Sequence, residues 1–248
     1  MRGELLSVER LEDRAKALAS TLAVLPGQRR GTRGIFRRFD DNARALRDAY
    51  RVLSEDTRHG VDVTAAGEWL LDNFHVLSAE IRQVRAHLPK TYHDQLPRIA
   101  SGEHAGQSRI HVLAADVAAH SDNRLDGDQL RRFLNSFQTV APLTLGELWA
   151  WPSMLTLSLV ENSRVVADEI LDARRARQAA DDRLARIVPL GAPPPSPLPA
   201  TLHLAHIVQL LHRFREYGQS SSAHRAAVDE HLAARQLTTE DAIRNELQ

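Results

Sequence analysis

The amino-acid sequence predicts an all-α protein, a multi-helix bundle with a long, kinked central helix and a proline-rich spacer before its C-terminal helices. Apolar residues recur at spacings of three and four over several stretches, which places them on one face of a helix. Proline, glycine and capping residues stand where these stretches begin or end. No stretch shows the alternation of apolar and polar residues that is typical of a half-buried strand.

The first two predicted helices lie on either side of a loop rich in glycine and arginine. Residues 5–25 carry leucine, valine and alanine three or four positions apart and form the first helix. Gly27, Gly31 and Gly34 mark the loop. A second helix follows, with an apolar face around residues 45–53.

The clearest periodicity lies in residues 70–88. Spacings of four and three alternate there without interruption, in the series Leu70, Phe74, Leu77, Ile81, Val84 and Leu88. Such spacing predicts a helix with a packed seam. Pro89 ends it, because proline lacks an amide hydrogen and disfavours helical geometry in the preceding residue.

The longest predicted helix runs from 145 to about 180. Thr144 and Glu147 form a Thr-x-x-Glu capping box at its start, and Pro152 is expected to kink it. Before it, a short helix at 111–120 precedes one at 130–137 that Asp126 is placed to cap. Phe74, Phe133 and Trp149 are expected to supply much of the buried apolar surface.

These elements predict three parts of the chain. Residues 1–187 form the main helical bundle, and residues 188–200, which hold most of a proline cluster, form an extended linker. Residues 201–248 form the C-terminal helices, which are expected to pack on the same bundle.

The composition excludes several classes of function. The formal net charge is +0, which gives no global attraction to nucleic acid. The chain has no cysteine, so disulfides, thiol catalysis and thiolate zinc sites are excluded. Its 12 histidines contain no His-Glu-x-x-His pair, and no glycine-rich phosphate loop or Gly-x-Ser-x-Gly elbow occurs. We therefore expect no metal, no cofactor and no catalytic residues.

The sequence also carries expectations about location. Acidic residues interrupt the first 13 positions, where a signal peptide needs an apolar stretch, so the chain is expected to be cytoplasmic. The most apolar stretch, 148–160, is shorter than the ~20 residues that cross a bilayer. Contact with anionic lipid at the cytosolic face of the inner membrane is predicted for the arginines around Phe36: Arg29, Arg30, Arg33, Arg37 and Arg38. The alternative is a solvated loop.

Several ordered motifs resemble a known family. The sequence WLLDNFHV occupies 69–76, and further blocks follow in the same order: LP, Y and LP within 88–97, AHSD and RLD within 119–126, PLTLGELW at 142–149, LVEN at 159–162 and LTTEDAIR at 237–244. Together they resemble the amino-terminal cytosolic region of bacterial cyclic β-1,2-glucan synthases. One departure is SRIH at 108–111, where an aromatic-rich Tyr-Pro-Arg-Val-Tyr is usual.

The resemblance implies a function for the whole family. Its members are very large membrane glycosyltransferases that take glucose from UDP-glucose, build a β-1,2-linked chain and close it into a ring. Their transmembrane helices, glycosyltransferase domain and phosphorylase-like domain lie beyond the matching region, so no catalytic residue carries over. The resemblance therefore implies a non-catalytic domain that acts in scaffolding or regulation, with the remaining parts of the synthase as its partners.

Two other hypotheses remain open. The first is a module that binds glucan or UDP-glucose, with tryptophans as stacking surfaces, and it requires an exposed indole. The second is a free-standing hydrolase or lyase with a pair formed by His75 and Glu68. The candidate binding residues, for either a sugar or the rest of the synthase, are Trp69, Asn73, His75, Glu147, Trp149 and Asn162.

Overall fold

The computed structural model describes residues 4–25, 33–121, 126–187, 198–199, 201–217 and 222–246. Ten helices lie within these ranges, and the all-α prediction is confirmed. The chain divides into two compact units, Met1–Ala167 and Asp168–Gln248, and the division falls inside one long helix. Most of the proline-rich segment, 188–197 and 200, lies outside the described residues, so the linker and the three-part division stay predictions.

The first unit contains seven helices of the described chain and one small sheet. Its elements are α1 (Val8–Thr21), β1 (Val24–Leu25), α2 (Arg33–Arg58), α3 (Ala65–His87), α4 (Lys90–His93), β2 (Arg98–Ile99), α5 (Arg109–His120), α6 (Gly127–Gln138) and the beginning of α7 (Leu145–Ile187). None of the described helices combines the length and apolarity needed to cross a bilayer.

A two-stranded antiparallel sheet corrects the expectation that the chain has no strand. Val24 pairs with Ile99, and Leu25 pairs with Arg98. Each strand is two residues long, which is too short for an alternating pattern to be visible in the sequence. The pairing joins the end of α1 to the segment that precedes α5.

The core of the first unit lies among α1, α5, α6 and the first turns of α7. Leu11, Leu113, Phe133 and Met154 are fully buried there, and the predicted burial of Phe133 is confirmed. Burying such a side chain completely stabilises the fold by about 1.5–3 kcal/mol. The Phe133 ring stacks on the indole of Trp151, with centroids 6.4 Å apart.

The predicted burial of Trp149 is wrong. Its side chain is 75% exposed, whereas Trp151, two residues later, is 7% exposed and lies in the core. Two residues correspond to about 200° around a helix axis, so the two indoles point to nearly opposite sides of α7. The tryptophan that faces the core is therefore Trp151, and not Trp149 as the sequence analysis predicts.

Helices α2 and α3 form an antiparallel hairpin. The Tyr50 and Phe74 rings stack with centroids 4.2 Å apart, and Arg85 of α3 pairs with Asp40 of α2 at 2.9 Å. The seam of α3 faces α2, with four of its six apolar residues buried and Phe74 and Leu77 half-buried. Thr64 caps α3 by accepting a hydrogen bond from the Gly67 amide.

Two other predicted helix signals have different outcomes. Asp126 stands at the N-cap of α6, but its side chain makes no capping hydrogen bond. Helix α7 continues without a break past Pro152, and the kink expected there stays a prediction.

The second unit consists of the rest of α7 with α8 (Leu204–Tyr217), α9 (Ser222–Ala234) and α10 (Thr239–Glu246). Its core includes Leu184, Ile207, Phe214, Val228 and Leu232. Polar bonds at its margin tie the elements together: Arg213 and Gln209 of α8 donate to Asp181 of α7, and Arg177 of α7 pairs with Glu246 of α10.

Candidate functional site

The start of α7 holds the predicted capping box. The Glu147 amide donates to Thr144 Oγ1 at 3.2 Å, and Glu147 Oε2 accepts from the Thr144 amide at 2.9 Å. The Thr144 hydroxyl also donates to the same carboxylate oxygen, at 3.0 Å. These bonds satisfy amide groups that a helix start otherwise leaves unpaired, so the first turn of α7 is fixed in place.

A buried ion pair joins this capping box to α5. Arg109 donates from Nε to Glu147 Oε1 at 2.8 Å and from Nη2 to Glu147 Oε2 at 2.7 Å, and both side chains are buried. Arg109 also donates to the Pro142 carbonyl at 2.9 Å, and its guanidinium lies 5.6 Å from the centre of the Phe137 ring. Glu147 therefore has both carboxylate oxygens occupied inside the protein.

Arg109 was not among the predicted site residues. It lies 38 positions before Glu147, in the segment where the sequence departs from the family motif. No local spacing connects two residues so far apart, and a lone arginine at the start of a helix gives no signal of burial. Only the fold brings them together.

An exposed apolar surface lies on the other side of the same helix start. Leu145 is 69% exposed and Trp149 is 75% exposed. They are four residues apart, so they are neighbours on the helix surface. We call this pair the α7 apolar face. Because Glu147 anchors the turn between them, the face is presented on a fixed backbone.

The predicted residues on α3 form a separate group. Trp69 is 55% exposed, and its carbonyl accepts a hydrogen bond from the Asn73 side-chain amide at 2.8 Å. His75 is exposed, and its Nδ1 lies 2.9 Å from the Asp72 carbonyl. Among the described residues, no hydrogen bond or ion pair joins His75 to Glu68, the pair on which the hydrolase hypothesis depends.

The six predicted residues therefore lie in three places. Trp69, Asn73 and His75 share one stretch of α3, Glu147 and Trp149 lie at the start of α7, and Asn162 is half-buried further along α7. Within the described ranges, no hydrogen bond, ion pair or ring contact connects the α3 group to Glu147 or Trp149. Their role in binding stays a prediction.

The predicted arginine cluster is only partly described. Arg37 and Arg38 are exposed on the first turns of α2. Arg29 and Arg30 lie outside the described residues, and so does the side chain of Arg33. Lipid contact through these arginines stays a prediction.

A pair of buried histidines lies beneath the amino-terminal end of α2. Burial lowers the pKa of His93 to about 4, with the positive charge of Arg98 acting in the same direction and Asp94 against it. Burial also lowers the pKa of His111 to about 4, assisted by Arg38, His93 and His104. Both imidazoles are therefore neutral at pH 7. The Phe36 ring contacts His93 edge to face, with centroids 5.2 Å apart.

No group of three or more histidines, aspartates and glutamates in the described part of the chain is arranged to hold a metal ion. The polar groups identified above hold the helices together, and the exposed ones lie on open helix faces.

Comparison with known proteins shows that the chain is similar to part of a much larger protein. No protein-family model matches the chain. The chain is 33% identical over 213 residues to the cyclic beta-(1,2)-glucan synthase NdvB of Rhizobium meliloti (strain 1021). The matched part is 83% of this chain but 8% of that synthase, so the chain spans less than a tenth of the length of its relative. The resemblance predicted from the motifs is confirmed, and the chain is a relative of one region of a cyclic β-(1,2)-glucan synthase.

Proposed function

We propose that this chain acts as a non-catalytic scaffolding or regulatory domain of a cyclic β-1,2-glucan synthase. It corresponds in this proposal to the amino-terminal region of such an enzyme, at the cytosolic face of the inner membrane. Its partners are the membrane-embedded and catalytic parts of the synthase, which carry out glucosyl transfer from UDP-glucose.

The α7 apolar face carries this proposal. Leu145 and Trp149 are neighbours on the helix surface and both side chains are mostly in contact with water, and contiguous exposed apolar surface is typical of interaction sites. Tryptophan is also among the residues that contribute most to binding at interfaces. The buried Arg109–Glu147 pair fixes the backbone beneath, so little conformational freedom is lost when a partner covers the face.

The experiment is co-purification with the rest of the enzyme. The chain, carrying an affinity tag, is expressed together with a synthase that lacks the matching region, and the membranes are dissolved in a gentle detergent. We expect the two parts to purify together and glucan synthesis to be restored. We expect the double variant Leu145→Ala, Trp149→Ala to reduce recovery of the synthase at least several-fold.

Leu5→Ala is the matched control, because Leu5 is also largely exposed but lies before α1. It should purify with the synthase as the unmodified chain does. The proposal is wrong if the unmodified chain does not associate, or if the chain alone forms glucan from UDP-glucose.

A second candidate function is binding of a carbohydrate or a nucleotide sugar. It requires an exposed indole, and Trp69 and Trp149 are both more than half exposed. The apolar face of a sugar ring can lie against such an aromatic surface. Trp151 is buried and is not available for this role.

Tryptophan fluorescence tests this candidate. The chain is titrated with UDP-glucose and, separately, with β-1,2-glucan, and the variants Trp69→Phe and Trp149→Phe assign any change to one indole. A saturable change that one variant abolishes is expected. Unchanged emission with both ligands would reject the candidate.

We also propose peripheral contact with anionic lipid through Arg37, Arg38 and the neighbouring arginines of the predicted cluster. Each cation near an anionic membrane surface contributes about 1 kcal/mol. In sedimentation with vesicles, binding to phosphatidylglycerol should exceed binding to phosphatidylcholine and should weaken with salt. Equal binding to both lipids, or none, would contradict it.

A further inference from the structure

A small cleft lies at one end of the hairpin formed by α2 and α3, where α4 begins. It has a volume of about 180 Å³ and opens to solvent. Its floor is apolar and is formed by Phe36, Phe39, Val84 and Leu88. Its rim is charged and is formed by Asp40, Arg85 and Lys90.

The floor is fixed by packing that does not depend on a ligand. Phe39, Val84 and Leu88 are buried, and the Leu88 amide ends α3 by donating to the Val84 carbonyl. Phe36 is held from below by its edge-to-face contact with His93. The cleft is therefore preformed, which lowers the entropic cost of binding.

The rim carries an excess of positive charge. Its one carboxylate, that of Asp40, is already paired with Arg85 at 2.9 Å. Lys90 is exposed and forms no ion pair with any residue that the structure describes. Two further arginines lie near the rim: Arg37 is three residues before Asp40 on α2, and Arg82 is three residues before Arg85 on α3. Both are exposed, and neither has an ionic partner among the described residues. The opening therefore attracts anions.

The size of the cleft limits the apolar part of the ligand. Cavities of ~150 Å³ lined by apolar side chains admit one benzene molecule. The cleft is slightly larger, so its floor accommodates one ring or a short alkyl segment and not a whole acyl chain. Arginine and lysine are the residues that bind phosphate groups best, and several cations together suit a doubly charged anion.

We propose that this cleft binds an organic phosphate whose apolar group is about the size of one ring, with the ring on the floor and the phosphate at Lys90 and the neighbouring arginines. This inference stands apart from the proposed scaffolding function, because it concerns another surface of the first unit and another class of ligand.

The lysine content of the chain gives a direct test. Lys90 and Lys16 are the only lysines, and Lys16 lies in α1. Reductive methylation with ¹³C-formaldehyde labels both side chains and keeps their charge. Phenyl phosphate is then added, and the lysine methyl resonances are followed by NMR. We expect a saturable shift of the Lys90 resonance and no shift of the Lys16 resonance, with Lys90→Gln confirming the assignment.

Three further probes separate the two parts of the site. Inorganic phosphate carries the charge without the ring, benzyl alcohol carries the ring without the charge, and phosphatidylglycerol vesicles present phosphate on a surface. Each should act on Lys90 at least about tenfold more weakly than phenyl phosphate, because a charged hydrogen bond and a buried ring each contribute at least that factor. An equal response to any one of them would overturn the proposal, as would the absence of a Lys90 shift.

A pair of arginine variants tests the rim. Arg82→Gln should weaken phenyl phosphate binding about fivefold, since it removes one nearby cation. Arg47→Gln is the control, because Arg47 is also an exposed arginine without an ionic partner among the described residues but lies further along α2. Equal affinity of the two variants would overturn the assignment of the phosphate to this rim.

Discussion

Arg109 and Glu147 form a buried, bidentate ion pair that joins the first turn of α5 to the first turn of α7. The bonds measure 2.8 Å and 2.7 Å, and the second oxygen of the carboxylate is shared with Thr144. The pair thus connects two helices and closes a capping box. The α7 apolar face, which carries the proposed function, depends on this one carboxylate for its position.

Breaking this ion pair should destabilise the protein strongly. Arg109→Met leaves the Glu147 carboxylate buried without its cation, and such losses cost about 3–5 kcal/mol. We expect the free energy of unfolding, measured with urea, to fall by that amount. Because the ion pair joins the first turns of the two helices, the beginnings of α5 and α7 should lose amide exchange protection together.

An exposed pair serves as the control. Arg131 and Asp128 on α6 lie 2.9 Å apart, and both side chains are largely exposed. Arg131→Met should change the free energy of unfolding by less than about 1 kcal/mol, because water screens such pairs. Similar losses in the two variants would contradict a special role for the buried pair.

The two neighbouring tryptophans of α7 should respond in opposite ways to truncation. Trp149→Ala removes a side chain that is mostly in water, so the free energy of unfolding should change by at most about 0.5 kcal/mol. Trp151→Ala leaves a cavity beside Phe133 and should cost about 3–5 kcal/mol. A large loss for Trp149→Ala would mean that its indole is packed in solution.

The sequence predicted those features that depend on short spacings. The seam of α3 is visible because each apolar residue lies one helical turn from the next, and the Thr144–Glu147 box is visible because its partners are three residues apart. The burial of Phe133 follows from the same periodic reasoning within α6.

Features that depend on the third dimension were not predictable in this way. Residues 148–151 are all apolar, and an uninterrupted apolar run does not indicate which side faces the core. The pairing of Arg109 with Glu147 and that of Val24 with Ile99 join distant parts of the chain. The candidate binding residues could be selected by motif, but the fold distributes them over two helices, and their roles still await experiment.

A side chain at Gly67, in the first turn of α3, should destabilise the protein. A Cβ atom at this position would lie 2.5 Å from Val63 Cγ1, which is closer than two carbon atoms can approach. Valine is stiff about its first side-chain torsion, so Gly67→Ala should cost about 1–3 kcal/mol.

Gly34 in α2 is the matched control, because a Cβ atom there has nothing within 4 Å. Gly34→Ala should stabilise the protein by up to about 1 kcal/mol, since alanine favours a helix over glycine. Thermal unfolding measures both variants. Equal melting temperatures would contradict the predicted clash at Gly67.

Mild acid should destabilise the first unit through its buried histidines. Burial lowers the pKa of His93 and of His111 to about 4, whereas an unfolded histidine titrates near pH 6.5. Between these values the unfolded chain binds protons that the folded chain does not, so stability is complete above pH 6.5 and falls as the pH decreases towards 4. Each histidine contributes on the order of 3 kcal/mol over the whole window. Urea unfolding between pH 7.5 and 5 should show this loss, and His111→Gln should reduce the slope of stability against pH. A stability that stays constant down to pH 5 would show that the two imidazoles take up protons freely in the folded protein.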